Sequence, residues 1–183
     1  MQEYGIVYLL PGPVADYQRE LRLKIEKAFE LTGNIRRNAP PHITLKYRFQ
    51  TEDIGPVEQL LSEFTATQSK TQWSIQGFNT FEHLEHFVIY MDVVPTPEAK
   101  QAHSRLTQQL ETIDWMQWKP FDGANLTFHA TLAHKGLTPA NFKQVMRFVE
   151  QQKRPNFDLF FDNVTLLEIN SNVHTVYRRF QIR

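Results

Sequence analysis

The sequence predicts a bilobal α+β duplication, with two antiparallel-rich sheets lining a central cleft and helices packed outside them. Three observations carry this prediction. Segments with the strand period alternate with segments of helical period along the whole chain. The order strand, helix, strand, helix, strand occurs twice, over about 4–82 and about 87–169. At matching places in the two halves stands the same short pattern, Pro41-His42-Ile43-Thr44-Leu45 and Phe128-His129-Ala130-Thr131-Leu132, with the histidines 87 positions apart. A consecutive strand–helix order of this kind packs as layers around one core, and the period is far too long for a solenoid.

Each element has its own warrant. Ile6 to Leu10 is a continuous apolar run that reads as a buried strand. Pro13 fits the first turn of a helix, along which Val14, Tyr17, Leu21, Ile25 and Phe29 recur at helical spacing; Thr32-Gly33-Asn34 is its expected stop. The first motif strand runs to about Phe49, a shorter helix covers about Ile54 to Phe64, and Trp73 to Phe81 is strand-like. In the second half, Phe87 to Val94 is a strand. Thr96 caps and Pro97 opens a helix to about Leu110, and an aromatic loop follows with Trp115, Trp118 and Phe121. The second motif strand spans Leu126 to about Ala133, and Thr138-Pro139 starts a helix carrying Phe142, Val145 and Val149. Phe157 to Ile169 is one bent strand or two short ones, and Val176 to Ile182 closes the chain. Past the motifs the register holds: Thr80-Phe81-Glu82 aligns with Leu166-Leu167-Glu168 at an offset of 86.

Composition narrows the function classes. The 183 residues suffice for one substantial core and make a single two-lobed domain, 1–183, the expectation. Formal net charge is zero, so no global field draws the protein to nucleic acid or membrane, and a polyanion must meet a local patch. The chain has no cysteine, which removes disulfides, thiol catalysis and thiolate metal sites. The N-terminal segment lacks a basic region, and its apolar run stops at Pro11, too short for a signal peptide or a membrane span. A cytoplasmic protein with no membrane association and no obligate protein partner is the expectation.

In a strand, residues two apart share a face. His42 and Thr44 therefore stand side by side, as do His129 and Thr131, while Ile43, Leu45, Ala130 and Leu132 face the core. A lone His-x-Thr is an ordinary strand feature; two copies at equivalent places point to one site. Two facing pairs supply a general base, a general acid and two hydroxyl donors. That set suits a phosphodiester, above all a strained 2′,3′-cyclic phosphate, where water loses a proton and the leaving ribose oxygen gains one. Imidazole serves both tasks because it titrates near neutrality, and the hydroxyls donate to the non-bridging oxygens. The scheme needs no metal, and neither motif contains a carboxylate to help hold one.

At His42-Ile43-Thr44-Leu45-Lys46 and His129-Ala130-Thr131-Leu132-Ala133 the chain resembles the two-histidine phosphoesterase superfamily, which includes the bacterial 2′-5′ RNA ligase-like proteins and RNA 2′,3′-cyclic phosphodiesterases. The resemblance covers nearly the whole chain. It implies a bilobal fold with a pseudo-twofold axis, no cofactor, and RNA ends or a small cyclic nucleotide as substrate. It further implies that His42 and His129 share the acid and base roles, with His129 the base, that Thr44 and Thr131 hold phosphate, and that the product is a 2′-phosphate. The alternatives it leaves open are an ADP-ribose cyclic phosphate type of substrate, 2′-5′ RNA ligation as the same chemistry reversed, and an RNA-binding module without turnover. RNA-directed relatives carry a basic residue soon after the second motif; here Ala133-His134-Lys135 stands there, so His134 or Lys135 is the candidate replacement.

Further candidates follow from position. Lys46 and Arg48 share the parity of His42 and Thr44, and either extend the cleft wall toward phosphate or end the strand in solvent. Trp118, with Trp115 and Phe121, either stacks on bases or packs the loop on a lobe; Tyr8 and Phe49 are weaker candidates of the same kind. Arg36, Arg37, Arg178 and Arg179 either contact an RNA backbone or are solvated. His83 and His86 read as an exposed turn, and His103 and His174 as surface or edge positions.

Overall fold

The computed structural model describes residues 1–31, 39–83, 86–171 and 173–183, with residue 83 described in its backbone. Along the chain these form β1 (Gln2–Leu9), α1 (Gly12–Phe29), β2 (His42–Thr51), α2 (Gly55–Thr67), β3 (Thr71–His83), β4 (His86–Pro95), α3 (Pro97–Leu110), a 3₁₀ turn (Gly123–Asn125), β5 (His129–Ala133), α4 (Phe142–Glu150), β6 (Asn156–Phe161), β7 (Asn163–Asn170) and β8 (Val173–Gln181). The α+β expectation holds. There are two four-stranded sheets, β2-β1-β7-β8 and β5-β4-β3-β6, and every pairing in them is antiparallel.

Local chemistry explains most of the boundaries. β1 is buried without interruption from Tyr4 to Tyr8, as its unbroken apolar run requires of a central strand. α1 buries Val14, Ala15, Gln18, Leu21 and Ile25 on one stripe, and it ends where Glu30 turns left-handed at φ 52°. The expected stop at Thr32-Gly33-Asn34 lies outside the described residues, as do Arg36 and Arg37. Thr96 caps α3 as expected, its Oγ1 accepting from the Ala99 amide at 3.3 Å.

Two expectations need correction, and the structure decides between the alternatives of a third. The second motif strand begins at His129, not Leu126, because the 3₁₀ turn at Gly123–Asn125 delays the chain's entry into the sheet. α4 begins at Phe142: Thr138 and Asn141 first close a turn, with the Thr138 amide donating to Asn141 Oδ1 at 2.8 Å and the Phe142 amide to the Thr138 carbonyl. The segment 157–169 is two strands that part at Asp162 and join different sheets.

That last point organises the molecule. β3 belongs to the first half of the sequence yet lies beside β4, in the sheet holding β5. β7 belongs to the second half yet lies beside β1, in the sheet holding β2. The alignment of Thr80-Phe81-Glu82 with Leu166-Leu167-Glu168 thus joins the strands that occupy equivalent places in the two sheets. Each half contributes its last strand to the other half's sheet.

The outer edges of β2 and β5 are closed by helices of the opposite halves. Gln18 on α1 donates through Nε2 to the Thr131 carbonyl at 2.9 Å, and the buried His103 on α3 donates through Nε2 to the Leu45 carbonyl at 2.8 Å. These bonds satisfy edge-strand carbonyls that would otherwise invite another strand. His103 is therefore an interior residue, not a surface one, and burial lowers its imidazole pKa. No helix among the described residues is long and apolar enough to cross a membrane.

Candidate active site

The two motif strands are edge strands, β2 lying beside β1 and β5 beside β4. His42 stands opposite Leu9 and Thr44 opposite Val7; His129 stands opposite Asp92 and Thr131 opposite Tyr90. β2 and β5 pack against each other across the middle of the molecule. Strand parity sorts the faces as expected: Ile43, Leu45, Ala130 and Leu132 are buried in the core, while His42, Thr44, His129 and Thr131 all line one cleft of about 1170 Å³.

The imidazoles are held alike. His42 Nδ1 lies 2.6 Å from the Pro40 carbonyl, and His129 Nδ1 lies 2.7 Å from the Thr127 carbonyl, each two residues upstream. A carbonyl only accepts, so Nδ1 carries the proton in both rings and Nε2 is left to take or give one. The His129 ring also stands edge-on to Phe81, with centroids 5.0 Å apart. Burial drives the His42 pKa down to about 4, with the Arg22 guanidinium and His129 adding to the effect and the Pro40 carbonyl opposing it. Burial likewise lowers that of His129, against the pull of the Thr127 carbonyl. Both shifts favour the neutral imidazole at pH 7.

The cleft lining carries positive groups although the chain is neutral overall. Arg22, Lys46, Arg48 and Lys135 line it, together with His86, His134 and His174 beyond the motif pair, and among the described residues no aspartate or glutamate does. Lys46 and Arg48 are paired with Asp122 and Glu3 outside the lining. A low-dielectric wall carrying one sign of charge focuses an attractive field on anions. Among the described residues no three His, Cys, Asp or Glu side chains gather as metal ligands would.

The other sequence candidates separate here. Arg48 and the stretch His134-Lys135 line the cleft. Arg48 is held by Glu3 at 3.1 Å and by His174 Nε2 at 3.1 Å, so His174, on the edge strand β8 as expected, also forms part of the cleft wall. Lys46 borders the cleft, but its ammonium is buried against Asp122 at 2.9 Å and lies 4.7 Å from the Trp118 ring centroid. Trp118 thus roofs this ion pair and is not among the cleft-lining residues. Phe121 does line the cleft, in edge-to-face contact with Tyr47 at 5.1 Å. Tyr8 and Phe49 are core residues. Arg178 pairs with Glu58 at 2.7 Å and Arg179 with Asp162 at 3.7 Å, both at the surface. His86, half of the expected exposed turn, is exposed but reaches the cleft mouth; the side chain of His83, the other half, lies outside the described residues.

Sequence reasoning missed Gln18, Arg22 and Asp122. For Gln18 a signal existed: it interrupts the apolar stripe Val14, Leu21, Ile25, a place where a polar residue needs a partner. Arg22 follows one turn later on α1, donating to the Ala39 carbonyl at 3.3 Å. Asp122 gave no signal, since its partner lies 76 positions away.

Comparison with known proteins finds relatives of the whole chain. A family model described as the 2′-5′ RNA ligase superfamily matches residues 10–172. A protein of Geobacillus kaustophilus (strain HTA426), named provisionally as a phosphoesterase, is 27% identical over 106 residues, which is 57% of each chain; the match spans little more than half of that curated relative. Among solved structures, TT0787 of Thermus thermophilus superposes with a TM-score of 0.57 at 17% identity, covering 99% of this chain and 98% of that one. E. coli LigT complexed with 3′-AMP gives 0.55 at 14% identity, over 99% and 97%. LigT complexed with NADP+ gives 0.55 at 16%, with the same coverage. At these identities the superpositions establish the shared fold.

Proposed function

The chain belongs to the 2′-5′ RNA ligase superfamily, and from that membership we propose that it is a cofactor-independent phosphodiesterase hydrolysing the 2′,3′-cyclic phosphate, or a 2′-5′ linkage, of RNA or a nucleotide to a 2′-phosphate. Membership and the Geobacillus relative support a phosphoesterase-type activity; the bond and the residues are our reading. The observation that carries it is the matched pair of histidines, each with Nδ1 fixed by a carbonyl two residues back and each beside a threonine in one cleft lined by cations. A nucleotide ligand also fits what the LigT neighbours hold.

The anionic phosphate enters between the lobes and accepts hydrogen bonds from the Thr44 and Thr131 hydroxyls. Its charge raises the imidazole pKa values and supplies the protonated member of the pair. One histidine removes a proton from water as the water oxygen bonds to phosphorus. The bond from phosphorus to the 3′-oxygen breaks, and the other histidine protonates that oxygen, leaving a 2′-phosphate and a 3′-hydroxyl. Fixed donors in a desolvated site stabilise the charge that builds on the non-bridging oxygens. In ligation a 5′-hydroxyl takes the place of water: one histidine removes its proton as its oxygen bonds to phosphorus, the bond to the 3′-oxygen breaks, the other histidine protonates that oxygen, and a 2′-5′ linkage results.

The test is incubation of a short RNA ending in 2′,3′-cyclic phosphate with the protein and a chelator, followed by product analysis. Turnover to the 2′-phosphate is expected, reduced about 10²–10⁴-fold in His42→Ala and in His129→Ala. Absence of turnover on any cyclic phosphate or 2′-5′ bond overturns the proposal, and full activity in His129→Ala overturns the paired mechanism.

A further inference from the structure

A second hollow of about 620 Å³ adjoins the catalytic cleft and shares Tyr47 and Arg48 with it. Beyond those two residues it is bounded by Glu3, Gln50, Gln117 and Lys119. Both cavities follow β2. Its residues pass from His42 and Thr44 in the cleft, through Tyr47 and Arg48 at the junction, to Gln50 in the hollow. The eight steps from His42 to Gln50 span about 26 Å, well beyond what one nucleotide occupies.

The junction has the makings of a stacking platform. Tyr47 is 39% exposed and Phe121 is 50% exposed, and the two rings brace each other edge to face at 5.1 Å. Large aromatic side chains held partly in solvent by mutual contact offer faces to flat ligands. Their backbone is anchored from inside: Asp122, next to Phe121, accepts from the Tyr47 amide at 2.8 Å and from the Lys119 amide at 3.0 Å. One buried carboxylate therefore fixes the relative positions of Tyr47, Phe121 and Lys119. The far wall is fixed too, since the Gln117 side chain bonds both the amide and the carbonyl of Gln50.

Electrostatics continue in the same sense. Among the described residues Glu3 is the single carboxylate side chain lining the hollow, and it is neutralised by Arg48 at 3.1 Å. Lys119 is exposed and borders the hollow beside the junction, its amide sharing the Asp122 carboxylate with that of Tyr47. The cleft thus leads to an aromatic step with a further cation beside it.

We propose that the cleft and the hollow form one track for single-stranded RNA, in which the nucleotides 5′ of the reacting end pass over Tyr47 and Phe121 and place a backbone phosphate at Lys119. The inference rests on the phosphodiesterase reading and makes its substrate an oligonucleotide end rather than a mononucleotide.

The test compares kcat/KM for a tetranucleotide ending in 2′,3′-cyclic phosphate with that for the corresponding nucleoside 2′,3′-cyclic phosphate. A preference of about tenfold or more for the tetranucleotide is expected from one stacked base. Tyr47→Ala and Phe121→Ala should bring the ratio toward one, while Tyr47→Phe retains it. Lys119→Ala should flatten the salt dependence of the tetranucleotide's affinity by roughly one phosphate contact, a log–log slope change of about 0.7. A wild-type ratio near one, or a ratio that Tyr47→Ala leaves intact, overturns the track. If neither substrate turns over, the phosphodiesterase reading fails by itself. Fluorescence anisotropy of a labelled tetranucleotide ending in a 2′-phosphate then decides the track: weaker binding to Tyr47→Ala and Lys119→Ala supports it, and equal binding overturns it.

Discussion

Lys46 and Asp122 meet at 2.9 Å in the protein interior, with side-chain exposures of 1% and 0%. Desolvation pulls the lysine pKa down, and the carboxylate beside it pulls the other way. Removing either partner strands the other charge without solvent, so Asp122→Ala and Lys46→Met should each destabilise the protein by about 3–5 kcal/mol. The double change Lys46→Met with Asp122→Leu should recover a large part of that loss. Urea titrations of the three variants check this; strict additivity of the two single effects would remove the pair as the cause.

His42, deep in the cleft, makes stability depend on acidity. Its pKa falls from 6.5 to about 4 in the folded protein, chiefly through burial. Above pH 6.5 neither state binds the proton and the group contributes no slope. Between 6.5 and 4 the unfolded chain takes up a proton that the folded one refuses, so stability falls as pH falls. Below 4 both states are protonated and the slope ends. The full effect is about 3 kcal/mol. His129 and His103, lowered in the same direction, add to it. Unfolding free energies across pH 7 to 4 should show the decline, and His42→Asn should make it shallower.

Binding of an anion should reverse that refusal. Inorganic phosphate entering the cleft at pH 7 is expected to bring a proton with it. Calorimetry in buffers of different ionisation enthalpy measures the uptake. A value near zero in wild type would mean that the imidazoles stay neutral beside the anion.

The two histidines are not electrostatically equal. Arg22 adds to the forces that keep His42 unprotonated, and the Arg22 charge does not figure among the causes acting on His129. If this difference decides which ring carries the proton, His129 donates it and His42 is the base, whereas the resemblance implies His129 as base. A substrate with an acidic leaving group, such as a 4-nitrophenyl phosphodiester, needs little general acid. Its turnover should survive His129→Ala far better than His42→Ala. The opposite pattern would return the base role to His129.

Asn163 ties the start of β7 to the end of β1. Its amide donates to the Leu9 carbonyl at 3.1 Å and accepts from the Leu9 amide at 3.1 Å, in a fully buried setting. Leu9 is the strand partner of His42. Asn163→Ala leaves the partly buried amide and carbonyl of Leu9 unpaired and should cost about 1–3 kcal/mol. Thermal unfolding measures the loss, and an unchanged midpoint would mean that both groups find other partners.

How much of this the sequence carries depends on the range of the interaction involved. The helix over Val14 to Phe29 and the faces of the two motif strands are set by periods of a few residues, and they read directly. The pairing of His42 with His129 reads because the repeat supplies its own long-range clue. Strand parity puts Lys46 on the correct face but says nothing of a carboxylate from a distant loop, so its neutralisation by Asp122 is invisible in the sequence. Composition draws Trp118 toward bases, whereas the ring roofs that ion pair. The late start of β5 and the turn before α4 depend on local geometries that residue type alone constrains weakly.

The crossing of β3 and β7 has a consequence for how the molecule comes into being. Glu3 finds its sheet neighbour in Ile169, near the far end of the chain. During synthesis the first sheet therefore cannot close until β7 has been made. A gene fragment encoding either half would yield a sheet lacking an interior strand and showing raw backbone edges. A single cut between residues 83 and 86 in the finished protein is a different matter: each fragment would remain threaded into the other's sheet, and the cleft would stay assembled.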